Sequence, residues 1–155
     1  MIIGVISDTH LRMVTSGLRR IMDEYFRDAE IVLHAGDMVT GEVWTYLRSR
    51  RVVAVHGNMD HREVTSVLPP KRTVQAGPFT IGLVHGFGAP RGLAETLRRE
   101  FDRLDCLVFG HSHQPLNRKV GRELWFNPGA AGDATGTIGL LHAGESIEGE
   151  IIHLK

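Results

Sequence analysis

Residues 2–10 read Ile-Ile-Gly-Val-Ile-Ser-Asp-Thr-His, an apolar β-branched run that ends in two residues able to bind a metal, Asp8 and His10. The same arrangement recurs four times. Ile31–Ala35 leads into Gly36-Asp37, and Val52–His56 leads into Gly57-Asn58-Met59-Asp60. Phe79–Val84 leads into His85-Gly86, and Cys106–Phe109 leads into Gly110-His111-Ser112-His113. Open α/β sheets bind ligands just beyond the carboxyl ends of their strands. Five strands ending this way gather Asp8, Asp37, Asn58, His10, His85, His111 and His113 in one crevice. A mixed oxygen and imidazole cluster of that size points to a site for more than one metal ion. Each motif alone also fits an ordinary polar loop, but five in series do not.

Working outward, the spacing of apolar residues alternates between strand and helix patterns. Ser16 can cap a helix over Gly17–Arg27, with Leu18, Ile21, Met22, Tyr25 and Phe26 on one face. Glu42–Ser49 forms a second helix between the strands at Ile31–Ala35 and Val52–His56. This βαβαβ order predicts a mainly parallel sheet. Met59–Arg72 reads as a long loop containing Pro69-Pro70. Arg72–Ala76 and Phe79–Val84 form a hairpin across Gly77-Pro78. Pro90 suits the first turn of a helix over Arg91–Phe101, and Asp105–Phe109 is a further buried strand. Leu116–Val120, Leu124–Phe126, Thr137–His142 and Ser146–Leu154 read as an antiparallel tail. The expected architecture is α/β: two sheets in a sandwich with helices outside, within one domain spanning residues 1–155.

The bulk numbers limit the function classes. A chain of 155 residues, 42% apolar and 23% charged, can bury a real core. Its 18 basic and 18 acidic residues cancel, which argues against extended nucleic acid as a partner. Cys106 is the one cysteine, so no internal disulfide forms and a reducing cytoplasm is the expected compartment. Its apolar setting reads as core packing rather than a nucleophile. No basic n-region precedes the first strand and no apolar stretch approaches ~20 residues, so neither a signal peptide nor a membrane span is expected.

The residue types also bear on the chemistry. Asp8-x-His10 and His111-x-His113 each place two ligands on one face of an extended chain. Gly36 and Gly57 let the backbone turn sharply beside Asp37 and Asn58. A set without thiolate suits Mn²⁺, Fe²⁺, Co²⁺, Ni²⁺ or Zn²⁺ better than Ca²⁺ or Mg²⁺. Two divalent ions, less the charges of Asp8, Asp37 and one hydroxide, leave about +1, which suits an anionic phosphate ester. A metal pair ~4 Å apart clamps the attacking and leaving oxygens of an in-line displacement and generates hydroxide near neutral pH. No side-chain nucleophile is then required.

Taken in order, Asp8-x-His10, Gly36-Asp37, Gly57-Asn58-x-Asp60, His85-Gly86 and Gly110-His111-x-His113 resemble the calcineurin-like metallophosphoesterases, most closely the small single-domain phosphodiesterases of the YfcE type. The resemblance runs from Asp8 to the Asn127-Pro128-Gly129 turn. It implies a four-layer α/β/β/α sandwich of two mixed β-sheets flanked by helices. It implies a first metal held by Asp8, His10, Asp37 and His113. Asp37 would bridge to a second, held also by Asn58, His85 and His111. It further implies in-line attack on phosphorus by a metal-held hydroxide, with Asp37, Asn58, Asp60 and His85 as the residues serving catalysis. Asp60 would act by orienting site groups, and the Asn127-Pro128-Gly129 turn would lie near the site. Of the candidate ions, Mn²⁺ is favoured, two per chain.

One position departs from the family pattern. Many members carry His where this chain has Met59, and that His is thought to assist the leaving group. Met cannot donate a proton, so esters with good leaving groups are the expected substrates. His61 could supply an acid instead, or be a solvated loop residue. His34 and His56 read as packed or hydrogen-bonded, His34 behind the ligands, and His142 and His153 as structural or exposed. Arg48, Arg50 and Arg51, like Arg98 and Arg99, read as solvated helix ends. Arg12 is a candidate for contact with substrate phosphate. Gly86-Phe87-Gly88 is a flexible stretch that lines the pocket.

The leading expectation is a dinuclear phosphodiesterase acting on a small phosphate ester. A phosphomonoesterase or pyrophosphatase would use the same residues. The rival class is a non-catalytic interaction scaffold of the Vps29 kind, which would blunt part of the site. An edge strand or apolar helix face could also support a homo-oligomer.

Overall fold

β-Branched and leucine-rich runs form strands close to where the sequence predicts them. A computed structural model describes residues 1–155. Strands β1 (Ile2–Ile6), β2 (Ile31–His34) and β3 (Val52–Ala54) are parallel neighbours, in register Ile3 to Ile31 and Val32 to Val52. Helices α1 (Ser16–Arg20) and α2 (Gly41–Arg48) make the crossovers. The expected helix from Gly17 to Arg27 changes character within itself, with a π-helical segment at Ile21–Tyr25. Its cap is Thr15 rather than Ser16, because the Thr15 side chain accepts the Leu18 N–H at 3.1 Å. Ser16 already lies in the first turn.

The expected loop over Met59–Arg72 contains a short helix, α3 (Arg62–Thr65), with Val64 buried beneath it. The hairpin of β4 (Lys71–Ala76) and β5 (Phe79–Val84) closes with Ala76 opposite Phe79. Helix α4 spans only Leu93–Arg98. It begins late because Gly92, at φ 69°, is left-handed, so Pro90 stands in a turn ahead of the helix. It ends early because the Arg98 guanidinium donates to the carbonyls of Phe101 and Asp102, at 2.7 and 2.9 Å. The same guanidinium forms a two-point ion pair with Glu123, at 2.6 and 2.7 Å.

The remaining strands are β6 (Cys106–Phe109), β7 (Leu116–Val120), β8 (Glu123–Asn127), β9 (Thr137–Ala143) and β10 (Ile147–His153). They do not form one antiparallel tail. β8 runs parallel to β6 and antiparallel to β7, whereas β9 is antiparallel to both β1 and β10. β8 is buried on both faces, as parallel strands usually are: Leu124 and Phe126 point one way and Trp125 the other. The result is two mixed five-stranded sheets, ordered β10-β9-β1-β2-β3 and β4-β5-β6-β8-β7.

Three apolar layers glue four structural ones. Leu18, Ile21, Val43, Leu47 and Val64 from the first three helices pack on Ile6, Val32 and Val52. Ile3, Val5 and Leu33 of the first sheet meet Ile81, Val108 and Phe126 of the second. Leu93 and Leu97 of α4 cover Leu107, Phe109 and Trp125. The sandwich is therefore α/β/β/α, and each fully buried side chain of this size contributes about 1.5–3 kcal/mol. Cys106 lies in the middle layer, where burial pushes its thiol pKa well up and keeps it protonated. No helix is long and apolar enough to cross a membrane. The carboxyl ends of β1, β2, β3, β5 and β6 converge, and the loops beyond them remain paired: Asp8 N–H donates to Gly36 O and Gly110 N–H to His85 O, both at 3.0 Å.

Candidate metal centre

Five of the seven expected ligands sit in abrupt, left-handed backbone turns beyond their strands. Asp8, His10, Asp37, His111 and His113 have φ values of 53°, 51°, 59°, 66° and 59°. These account for five of the eight non-glycine residues with positive φ. The left-handed region costs an L-residue about 1–2 kcal/mol, so backbone strain is concentrated in this crevice. The turns aim the side chains inward. At Gly57 and Gly110 there is no room for a side chain: a Cβ on Gly57 would strike Asp37 Oδ1 and His85 Cδ2, and one on Gly110 would strike Ser7 Oγ.

The inward atoms form two groups. In the first, Asp8 Oδ1 lies 3.1 Å from His113 Nε2 and 3.6 Å from His10 Nε2, and the two ring nitrogens are 3.4 Å apart. In the second, Asn58 Oδ1 lies 3.0 Å from His85 Nε2 and 3.2 Å from His111 Nδ1. Asp37 Oδ2 stands between them, 3.8 Å from His10 Nε2 and 3.2 Å from His85 Nε2. Asp8, Asp37 and His85 are buried, while His10 and His113 are exposed at the mouth. All seven expected ligands thus meet in one place.

The outer hydrogen bonds set which ring atom faces inward. His85 Nδ1 donates to Ala35 O at 2.7 Å, and His111 Nε2 donates to Gly88 O at 2.8 Å. Carbonyls only accept, so the inward atoms His85 Nε2 and His111 Nδ1 carry lone pairs in the neutral rings. They face Asn58 Oδ1, and His85 Nε2 faces Asp37 Oδ2, which are acceptors too. A cluster of lone pairs with no donor among them calls for a cation. Mixed imidazole, carboxylate and amide donors fit divalent transition metals. The same physics acts on protons. Burial disfavours the charged His85 ring, but its hydrogen bond to Asp37 and the charges of Asp8 and Asp37 outweigh that and raise its pKa. Burial likewise opposes Asp37 ionisation, yet the His85 and Met59 N–H contacts and the nearby ring charges hold its pKa below the ordinary value.

Asp60 faces away from this cluster and accepts three backbone N–H groups, from Asp37 at 3.0 Å, Val39 at 2.6 Å and Gly57 at 2.7 Å. It ties the β2 and β3 loops together. His34 lies behind the ligands, fully buried, and its Nδ1 accepts the Gly36 N–H at 3.1 Å. Burial lowers its pKa to about 4. Two supports were not assigned a role by the sequence. Ser7 Oγ donates to Asp8 Oδ2, which also takes the His111 N–H at 3.1 Å. Asn127 Nδ2 donates to Gly110 O at 2.9 Å and Ser112 Oγ at 3.1 Å, clamping the loop between His111 and His113. The Asn-Pro-Gly spelling marked a turn near the site, without the partners of Asn127.

Around the mouth, Met59 and Phe87 are 54% and 60% exposed. His61 is exposed and precedes α3, its N–H bonded to Val39 O. Arg12 is exposed, and its carbonyl accepts the Thr40 hydroxyl. His142 pairs with Glu150 at 3.2 Å in the C-terminal hairpin.

The sequence profile of the calcineurin-like phosphoesterase superfamily domain matches residues 1–145. A probable metallophosphoesterase of Methanothermobacter thermautotrophicus is 39% identical over 133 residues, covering 84% of this chain and 77% of that protein. Among solved structures, a novel archaeal phosphodiesterase superposes with a TM-score of 0.77 at 24% identity, covering 99% of this chain and 100% of the other. Wild-type Vps29 from Entamoeba histolytica, complexed with Zn²⁺, superposes with a TM-score of 0.71 at 24% identity over 100% of both chains. A likeness at that identity shows the shared fold. With the profile covering nearly the whole chain, the protein belongs to the calcineurin-like phosphoesterase superfamily.

Proposed function

We propose that the protein is a dinuclear metal-dependent phosphodiesterase. The observation that carries this reading is the placement of Asp37 Oδ2 between two donor groups, 3.8 Å from His10 Nε2 and 3.2 Å from His85 Nε2. Asp8, His10 and His113 would hold one ion with Asp37, and Asn58, His85 and His111 would hold the other with the same carboxylate. Divalent ions held there would supply Lewis acidity toward a phosphoryl oxygen and a hydroxide nucleophile near neutral pH. Mn²⁺ is the favoured ion, with Ni²⁺, Fe²⁺, Co²⁺ and Zn²⁺ served by the same donors.

The chain's own residues hold the geometry. Ala35 O and Gly88 O fix the His85 and His111 tautomers, and Asp60 holds the two loops that carry Asp37 and Asn58. Exposed Met59 occupies the position of the family's leaving-group histidine and offers no proton. Leaving groups that depart without protonation, aryl oxides above all, are therefore the best substrates. Outside the crevice, no serine or cysteine activated by a neighbouring base is needed.

The test is hydrolysis of bis(4-nitrophenyl) phosphate by metal-stripped protein, with and without Mn²⁺, beside Asp37→Asn. Turnover that depends on metal and disappears in the variant supports the reading. No turnover by folded protein with Mn²⁺, Ni²⁺, Co²⁺ or Zn²⁺ overturns it and favours a binding role for this fold.

A further inference from the structure

A cavity of about 320 Å³ opens directly beside the metal centre, with Asn58 and His85 forming one of its walls. Its exposed surface is mostly apolar, and Pro70, Val84 and Phe87 also line it. At the low end of ligand pockets, roughly 300–1,000 Å³, such a space takes one ring-sized group and not an extended chain. The cavity also contains a cation, but that charge is already matched. Lys71 Nζ lies 3.0 Å from both Glu100 Oε2 and the Glu100 carbonyl. A second phosphate or a carboxylate would find no free positive partner there, so the preferred occupant is uncharged.

The position of Phe87 is tied to the metal centre on both sides. His85 precedes it by two residues, and the Gly88 carbonyl receives the His111 Nε2–H at 2.8 Å. The flanking Gly86 and Gly88 have φ values of 117° and 75°, which turn the backbone out and back around the ring. Gly86 is also tightly placed, since a Cβ there would sit 3.1 Å from His111 Cβ. An aromatic side chain 60% exposed beside an apolar cavity is a stacking surface without a partner in the chain.

We propose that this cavity receives the retained ester group of the substrate, an uncharged aromatic ring stacked on Phe87, while its phosphate lies at the metal centre. The proposal rests on the phosphodiesterase reading and narrows its substrates to diesters whose retained, non-leaving ester group is such a ring. Alkyl diesters and polyphosphates leave the cavity empty or face it with charge. Aromatic stacking of this kind is worth about 1–3 kcal/mol per ring, or roughly 5- to 150-fold in kcat/KM at 1.4 kcal/mol per tenfold.

Two measurements test it. The first compares phenyl 4-nitrophenyl phosphate with methyl 4-nitrophenyl phosphate, which release the same leaving group. A phenyl preference of tenfold or more is expected, collapsing toward unity in Phe87→Ala and persisting in Phe87→Trp. Equal kcat/KM for the two esters, or a preference untouched by Phe87→Ala, overturns the proposal while the phosphodiesterase reading stands. The second uses NMR of the Zn²⁺-loaded protein with phenylphosphonate or methylphosphonate. Phenylphosphonate alone should shift the Phe87 and Val84 amides, and equal shifts by both compounds overturn the proposal. If neither ester is hydrolysed but phenylphosphonate still shifts those amides selectively, the ring site is supported and the catalytic reading fails.

Discussion

Asp60 holds the backbone of Asp37, its Oδ2 accepting the Asp37 N–H at 3.0 Å. The same carboxylate accepts Gly57 N–H and Val39 N–H, and Val39 is a β-branched residue held at φ 91°. Such a backbone persists only where neighbours over-determine it. Asp60→Asn keeps one oxygen and loses the charge that binds three donors. Metal affinity should fall about 10- to 100-fold, as for outer supports of metal ligands generally. Competition with a chromophoric chelator measures this, and circular dichroism shows whether the fold is retained. Unchanged affinity would mean that Asp60 does not hold the site.

Met59→His should restore a proton donor at the mouth of the crevice. General acid assistance contributes about 10²–10⁴-fold where the leaving group needs it. Turnover of alkyl esters should rise at least about tenfold, with aryl esters changed little. The ratio of kcat for the two ester classes is the readout. A uniform change in both would show that position 59 does not govern leaving-group protonation.

Gly57→Ala should disable the centre without replacing a ligand. The added methyl would overlap Asp37 Oδ1 and His85 Cδ2, and overpacking of this sort costs about 1–3 kcal/mol. Metal-dependent activity should be lost, and metal addition should raise the melting temperature less than in the parent protein. A normal metal-induced rise in the variant would contradict the close packing of Gly57.

The metal-free protein should lose stability with acid in two adjoining windows. Burial lowers the folded pKa of His34 from 6.5 to about 4, so between these values the unfolded chain binds the proton more tightly. Its contribution is complete above 6.5 and lost as pH falls toward 4. Glu123 is held below the ordinary carboxylate value of 4.5 by the Arg98 hydrogen bonds, which outweigh partial burial. That contribution is present above 4.5 and lost as pH falls through the lower folded value. Urea unfolding at stepped pH should show the upper window flattened in His34→Gln and the lower one in Glu123→Gln.

Much of the site was legible because its signals are local. An apolar run followed by Gly-Asp or Gly-His specifies a strand, a sharp turn and a ligand within a few residues. That reasoning placed Asp8, His10, Asp37, Asn58, His85, His111 and His113 together, and the seven do converge. Ser7 and Asn127 were harder to read. Their partners are Asp8 Oδ2 in one case and Gly110 O and Ser112 Oγ in the other, and a hydroxyl or amide in sequence does not state which buried acceptor it will meet. Helix α4 came out shorter than its periodicity because Gly92 is left-handed and Arg98 bonds the Phe101 and Asp102 carbonyls, its guanidinium held by Glu123, 25 residues away.

The sequence by itself determined the strands, their ligand-bearing ends and the α/β class, since alternation and turn chemistry act over a few residues. Only the tertiary structure decided that β8 lies parallel to β6, and that His85 presents Nε2 while His111 presents Nδ1. It also decided that Phe87 borders a cavity beside the ligands. Strand partners, ring tautomers and cavity walls are set by groups distant in the chain, and those groups meet only when both sheets have packed.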